Sequence, residues 1–381
     1  MKVLINAISI KEGGSLVVFR SLLKEFVAQR PDISWHVAVN SQVENMPELK
    51  LPNVHSHIFH SAERTPLHVK WWYNIVLPKL IKQIDADVLF SQTNYLPEVR
   101  LLCPTLLLEQ HAGHFSRLFD SKMTERLTFL GKSAWKARKK WVVKSLKRAS
   151  KVTVQTIALA KAIMDELHIS AEKINVIPHG PGLGQTQSEV RELPVGELQI
   201  GYVTKFGVQK NFEVLIAAVR ILINHGVNVR LNITLDPSLQ ECQEVLALID
   251  DAGIGQYVLN HGELDADGVR QLYSDLNLFV FPSLCESFGF PMLEAMAFGL
   301  PLLVADTESN IEIEGNLTYT FPACDSERLA ELLQGLMEPE AYHEASEYVL
   351  ERVKAFEWEK AAADTLQLLT DLAAHKRRSI H

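Results

Sequence analysis

The sequence predicts an α/β protein built as two successive doubly wound units. Near-continuous apolar runs alternate with amphipathic stretches, which is how parallel strands covered on both faces by helices are written. That alternation stops after residue 180 and restarts at residue 198. A chain of 381 residues, 47% hydrophobic and 22% charged, also has the balance of a globular protein and the length for two or three domains.

In the first half, strands are expected over Lys2–Ile8, Ser34–Asn40, Val88–Gln92, Thr105–Glu109, Val152–Gln155 and Ile174–Ile177, with helices over Gly14–Gln29, Leu67–Lys82, Lys122–Ala149 and Ala158–Leu167. Residues 181–197, polar and punctuated by Gly and Pro, read as a linker. In the second half, strands Leu198–Val203, Val229–Leu235, Leu278–Phe281 and Pro301–Ala305 alternate with helices Asn211–Asn224, Leu239–Ala252 and Pro291–Phe298. An acidic helix over about Ala341–Ala374 closes the chain. The boundaries are therefore 1–180, a linker at 181–197, 198–355, and a C-terminal helix within 356–381.

Several chemistries are disfavoured. The four cysteines lie far apart without a C-x-x-C, which argues against a disulfide framework or a Cys-based zinc site and fits a reducing cytosol. The apolar run Val3–Ile10 is too short and wrongly flanked for a signal peptide, and no uncharged run of about 18 residues suggests a membrane span. Neither G-x-S-x-G nor H-E-x-x-H occurs. Gly131-Lys132-Ser133 imitates the end of a P-loop, but Arg126 stands where the earlier Gly is required. The pairs Asp85/Asp87 and Asp265/Asp267 are read as polar punctuation at element ends. His111, His114, His55, His57 and His60 lack partner ligands, so no metal site is expected.

The strongest local signal is Cys285-Glu286-Ser287-Phe288-Gly289-Phe290-Pro291-Met292-Leu293-Glu294. Pro291 suits the first turn of a helix, so Ser287, Phe288, Gly289 and Phe290 offer backbone N–H groups at a helix N-terminus, a site for anions. Glu286 and Glu294 flank it as acceptors for sugar hydroxyls or, on spacing alone, as two solvated helix-end glutamates. A second signal is Lys205 and Lys210 just beyond strand Leu198–Val203, where open α/β sheets bind ligands and two cations suit a diphosphate. Solvated loop lysines are the plainer alternative.

Together these stretches resemble the retaining glycosyltransferases of family four (group 1). Glu286 and Glu294, with seven residues between, match that family's E-x7-E signature, and Gly299-Leu300-Pro301 continues the match. Val176-Ile177-Pro178-His179-Gly180 is similar to its interdomain "IPNG" turn, with His179 in place of Asn. His261-Gly262 and Phe281-Pro282-Ser283 sit where the family has similar residues, and Phe356-Glu357-Trp358-Glu359-Lys360 resembles its late "fsW" segment.

The resemblance implies a GT-B fold: two Rossmann-like domains facing a central cleft, with a C-terminal helix crossing back to the first. It implies a metal-independent, retaining hexosyltransferase without a cofactor, using a GDP- or UDP-linked sugar. By resemblance Glu294 binds the donor ribose and Glu286 the transferred sugar, and Lys205 and Lys210 neutralise the leaving diphosphate. Lys205 stands where the family usually has Arg, and Ser287 replaces a common Gly. His111 resembles the acceptor-loop histidine, and Gly13 and Gly14 let the first-domain loop approach the donor phosphates. The acceptor is expected to be a glycan or a polyprenyl-linked glycan of surface polysaccharide or lipopolysaccharide. A nucleotide-sugar epimerase and an inactive binding subunit on the same fold are the alternatives.

Charge is uneven along the chain. Residues 1–180 hold 25 Lys and Arg against 15 Asp and Glu; the remainder holds 13 against 31. Within the first half, Lys132 to Arg148 is basic throughout, with Trp135, Trp141, Val142, Val143 and Leu146 interleaved. Such a pattern fits a helix lying on an anionic membrane, or a core-packed helix with a basic face. The expectation is a cytoplasmic enzyme, peripheral on the inner face of the membrane, with no nucleic-acid partner.

Overall fold

The computed structural model describes residues 1–378 apart from 61, 63 and 185–187, with the side chains of 377 and 378 also outside the description. Two compact units result. The first comprises Met1–Phe115, Arg126–Gly180 and Glu357–His381; the second comprises Ser116–Glu125 and Pro181–Phe356. Ser116–Glu125 thus counts with the second unit, not with the first as the boundary 1–180 would have it.

The first unit holds a parallel sheet of β1 (Lys2–Ala7), β2 (Ser34–Val39), β3 (Val54–Ile58), β4 (Val88–Ser91), β5 (Thr105–Leu108), β6 (Lys151–Val154) and β7 (Ile174–Val176), in the order β3-β2-β1-β4-β5-β6-β7. The second holds β8 (Leu198–Tyr202), β9 (Val229–Ile233), β10 (Val258–Asn260), β11 (Leu278–Phe281), β12 (Leu302–Ala305) and β13 (Thr320–Phe321), in the order β10-β9-β8-β11-β12-β13. Both orders reverse at one point, between β1 and β4 and between β8 and β11. In open α/β sheets that switch point is where ligands bind, beyond the strand C-termini.

Three of these strands escape a reading by apolar runs: β3, β10 and β13. Each lies at a sheet edge, so one face and one rim stay partly exposed and no apolar run is required. The central strands β1, β4, β5, β11 and β12 are buried along almost their whole length and stand out in the sequence.

Helices depart from the expected spans where polar groups end them. The stretch Lys122–Ala149 is two helices, Arg117–Arg126 and Phe129–Arg148, because Thr128 caps the second by accepting from the Gly131 N–H at 3.2 Å. The closing helix is likewise two, Pro339–Val353 and Trp358–Arg378, divided where Phe356 enters the core of the second unit. The last helix packs in the first unit: Gln29 Nε2 donates to the Glu359 carbonyl at 2.9 Å and Lys376 Nζ to that of Ala86 at 2.8 Å. At its start Trp358 stacks on buried His179, centroids 5.1 Å apart, and a Cβ on Gly180 would collide with that indole. The "IPNG"-like and "fsW"-like segments therefore meet inside one unit.

The described part of residues 181–197 is bound to the second unit by Arg191. Its guanidinium donates to the carbonyls of Phe298 (2.7 Å), Leu276 (2.6 Å) and Tyr273 (3.0 Å), and its N–H to Ser346 Oγ (2.8 Å). Replacing Arg191 with Ala leaves three inward carbonyls without their charged donor, so the variant is expected to lose about 2–4 kcal/mol of stability in urea unfolding. A loss below about 0.5 kcal/mol would show that water replaces the guanidinium freely.

Candidate functional site

The loops after β8 and β11 flank the switch point of the second sheet. Glycine 289, with φ +83°, starts the helix Phe290–Ala297 and offers no side chain to its first turn; Pro291 follows inside that turn. Phe288 is buried against Phe290 and Phe356, so its ring belongs to the core and only its backbone faces the loop. The preceding turn is held by two asparagines. Asn310 Nδ2 donates to the Ser283 carbonyl at 2.8 Å, and Asn211 Nδ2 to the Pro282 carbonyl at 3.1 Å and to that of Ala323 at 2.8 Å.

On this frame Glu286 and Lys210 meet. Lys210 Nζ lies 2.6 Å from Glu286 Oε1, and Ser283 Oγ donates to the same oxygen at 2.6 Å. The two side chains are only 12% and 15% exposed, which sets them apart from an ordinary surface pair. Tyr202, its hydroxyl donating to the Lys210 carbonyl at 3.0 Å, and the Phe281 ring, 5.5 Å from Nζ, fix the lysine. Lys205 does not join them. It is 61% exposed and pairs with Glu263 Oε1 at 2.7 Å.

Glu294 sits further along the helix. Burial pushes its carboxyl up to about 7, against the opposing effects of the Tyr273 hydroxyl, which donates to Oε2 at 3.1 Å, and of the Arg270 charge. A Cβ at Gly182 would collide with Glu294 Oε1, so the glycine marks a close approach of backbone to carboxyl. Neither glutamate of the pair is a solvated helix-end residue.

Sequence reasoning gave no role in the site to Asn211, Asn310, Tyr273 and Gly182, and noted Ser283 only as part of the resemblance. All five act through other residues, and nothing in their local pattern announces that. The D-x-D pairs serve as punctuation: Asp265 Oδ1 caps a helix by accepting from the Gly268 N–H at 2.8 Å, and Asp87 Oδ2 accepts from the Lys2 N–H at 2.8 Å. Among the described residues no three His, Cys, Asp or Glu side chains are grouped to hold a metal ion.

In the first unit, His111 follows β5. Its N–H donates to Oε1 of Glu109, a carboxyl with no exposure that burial holds well above the usual range. The rings of His111 and His114 stack at 4.4 Å and those of His114 and Trp135 at 4.6 Å. Burial lowers His114 to about 3, keeping that imidazole neutral. Gly13 has φ +66° with open space around its Cβ position, and Gly14 follows it in the first turn of helix Gly13–Gln29.

The helix Phe129–Arg148 corrects the sequence reading. Trp135, Val142 and Leu146 are buried, Val143 packs on the core, and Trp141 lies against Tyr73 and Tyr95 with its Nε1 donating to the Leu96 carbonyl at 2.9 Å. The interleaved apolar residues are core, because their spacing gathers them on one side of the helix, where Trp135 packs on His114 and the rest join the core of the first unit. The large apolar side chains exposed on this helix are Phe129 (82%) and Leu130 (78%) at its start, before the lysines.

Residues 185–352 match the family described as glycosyl transferases group 1. A 106-residue stretch is 30% identical to O-antigen chain mannosyltransferase B of Escherichia coli, covering 28% of each chain. Matched stretches span from a fifth to just over half of the lengths of the first curated relatives. Among solved structures, sucrose-phosphate synthase of Thermosynechococcus elongatus superposes with a TM-score of 0.76 at 18% identity, over 98% of this chain and 100% of that one. Anabaena Alr3699/HepE, in complex with UDP and glucose, gives 0.70 at 16% identity, over 97% and 100%. With these matches over two parallel doubly wound sheets, residues 185–352 carry the pattern of the group 1 glycosyltransferases and the chain has the GT-B fold.

Proposed function

We propose that this protein is a retaining, metal-independent glycosyltransferase that moves a hexose-type sugar from a UDP- or GDP-linked donor to a glycan or polyprenyl-linked acceptor in surface polysaccharide or lipopolysaccharide assembly. The observation that carries the reading is the half-buried Lys210–Glu286 pair beside a helix N-terminus at the switch point, with Glu294 one turn inside that helix. A nucleoside diphosphate is the anion such a place suits, with N–H groups and an ammonium at the phosphates and carboxyls at the ribose and sugar hydroxyls. The relatives' names point the same way: one is a mannosyltransferase, and HepE was solved with UDP and glucose.

In the proposed reaction the bond from the sugar to the diphosphate breaks, and the acceptor hydroxyl forms the new bond on the same face. Its proton passes to the departing phosphate oxygen. Charge separation is the costly part, and Lys210 with the Ser287–Phe290 N–H groups opposes it electrostatically; Lys205 assists from its exposed loop. His111 is proposed near the transferred sugar on the acceptor side, and Gly13 and Gly14 near the donor phosphates.

Incubating the protein with UDP- and GDP-sugars and candidate acceptors tests this directly. Nucleoside diphosphate released in step with a glycosylated product supports transfer; epimerised donor without an acceptor would overturn it. Activity should be unchanged in EDTA. Loss on chelation, restored by Mg²⁺ or Mn²⁺, would move the diphosphate's counter-charge from lysine to metal.

Among the described residues no helix is long and apolar enough to cross a membrane. We place the enzyme at the cytoplasmic face of an anionic membrane, where the exposed Lys132, Lys136, Arg138 and Lys140 provide attraction.

A further inference from the structure

The helical segment after β3 is apolar on two sides. Pro66–Trp71, the π-turn Trp72–Val76 and Leu77–Ile84 run continuously. One side, formed by Trp72, Tyr73, Leu77, Leu80 and Ile81, is buried in the first unit. The other presents Leu67 (79% exposed), Trp71 (52%) and Ile75 (44%), spaced four residues apart. With Ile58 (39%) and Phe59 from the end of β3, Trp71 and Ile75 line an open groove of about 390 Å³ that continues along the helix to Lys79. Nothing in the core requires this second side to be apolar, and contiguous exposed apolar residues mark an interaction site.

Charge selects the partner. Residues 64–84 contain Arg64, Lys70, Lys79 and Lys82 and no Asp or Glu. Lys70, Lys79 and Lys82 are exposed; among the described residues the neighbouring acids are Glu98, 3.9 Å from Lys70, and Asp85 at the helix end, while Glu63, just before the window, lies outside the described residues. A tryptophan and two aliphatic residues in a row, rimmed by cations, suit the interface of a bilayer with anionic headgroups, where the indole sits at headgroup depth. A second protein copy would bring the same cations against themselves.

We propose that Leu67, Trp71 and Ile75 insert into an anionic lipid surface, with Lys70, Lys79 and Lys82 contacting the headgroups. This deepens the proposed membrane association and rests on it, but assigns the contact to a different element. The lysine-rich helix Phe129–Arg148 has given its apolar side to the core, apart from Phe129 and Leu130.

Sedimentation with vesicles of phosphatidylcholine and phosphatidylglycerol (3:1), and of phosphatidylcholine alone, tests the assignment on the full chain. Wild type should bind the anionic vesicles at low salt at least tenfold more strongly than the neutral ones, and salt should weaken the binding. Of the six tryptophans only Trp71 is among the exposed side chains, so binding should shift its emission to the blue. Trp71→Phe should bind without that shift. The triple variant Leu67→Ser, Trp71→Ser, Ile75→Ser should lose at least tenfold in partitioning while its thermal unfolding stays near wild type, since these side chains are exposed. If the triple variant binds like wild type while Lys136, Arg138, Lys139 and Lys140 changed to Gln releases the protein, this assignment fails and the membrane reading stands. Wild type that ignores anionic vesicles at low salt overturns both. A wild-type dimer in sedimentation velocity that becomes monomeric in the triple variant would make the stripe an interface between copies instead.

Discussion

Glu294→Ala should weaken binding of a UDP- or GDP-sugar by about ten- to a hundredfold, because the ribose hydroxyls lose an acceptor worth about 1.5–3 kcal/mol. Titration calorimetry on the folded variant is the check, and unchanged donor affinity would remove Glu294 from the site. The same carboxyl gives a pH signature. Pushed up to about 7 by burial, it stays protonated in the fold while the unfolded carboxyl ionises above its usual value of 4.5. The native state then binds more protons, so this group's contribution to stability falls as pH rises from about 4.5 to about 7. Glu294→Gln cannot ionise and should lack that slope in urea unfolding at stepped pH. An identical slope in both proteins would mean that the carboxyl titrates normally.

Glu286→Ala should cut turnover by about a hundredfold or more, a loss near 3 kcal/mol of transition-state stabilisation, without weakening binding of bare UDP or GDP. Two facts set these directions. Glu286 is proposed at the sugar and not at the nucleotide, and its Oε1 holds Lys210 at 2.6 Å. Removing the carboxylate frees that ammonium for the phosphates, so affinity for the bare nucleotide should hold or rise as turnover collapses. A parallel loss of nucleotide affinity would place Glu286 at the nucleotide instead.

Most of the fold was legible in the chain. Strands such as Leu278–Phe281 and Leu302–Ala305 are buried on both faces, so every residue must be apolar and the run is visible without knowing its neighbours. Edge strands such as Val54–Ile58 carry no such demand and passed unseen. Helix ends were misjudged where a single cap, Thr128, outweighed an otherwise continuous helical pattern.

Local pattern along the chain is enough for two parallel doubly wound units, the helix start at Gly289-Phe290-Pro291, and the spacing of Glu286 and Glu294. All of these follow from local periodicity, backbone preference or distance along the chain. Only tertiary structure decided that Lys210 meets Glu286 while Lys205 turns to Glu263, since each pair joins loops 58 to 76 residues apart. It alone raised the Glu294 carboxyl, because desolvation depends on what packs around a group. It also reversed the reading of exposed apolar surface. The aromatic residues of Lys132–Arg148 went into the core, and Leu67, Trp71 and Ile75 stayed outside. A helix with apolar residues on two sides can bury only the side its neighbours cover, and that choice belongs to the packing of the whole unit.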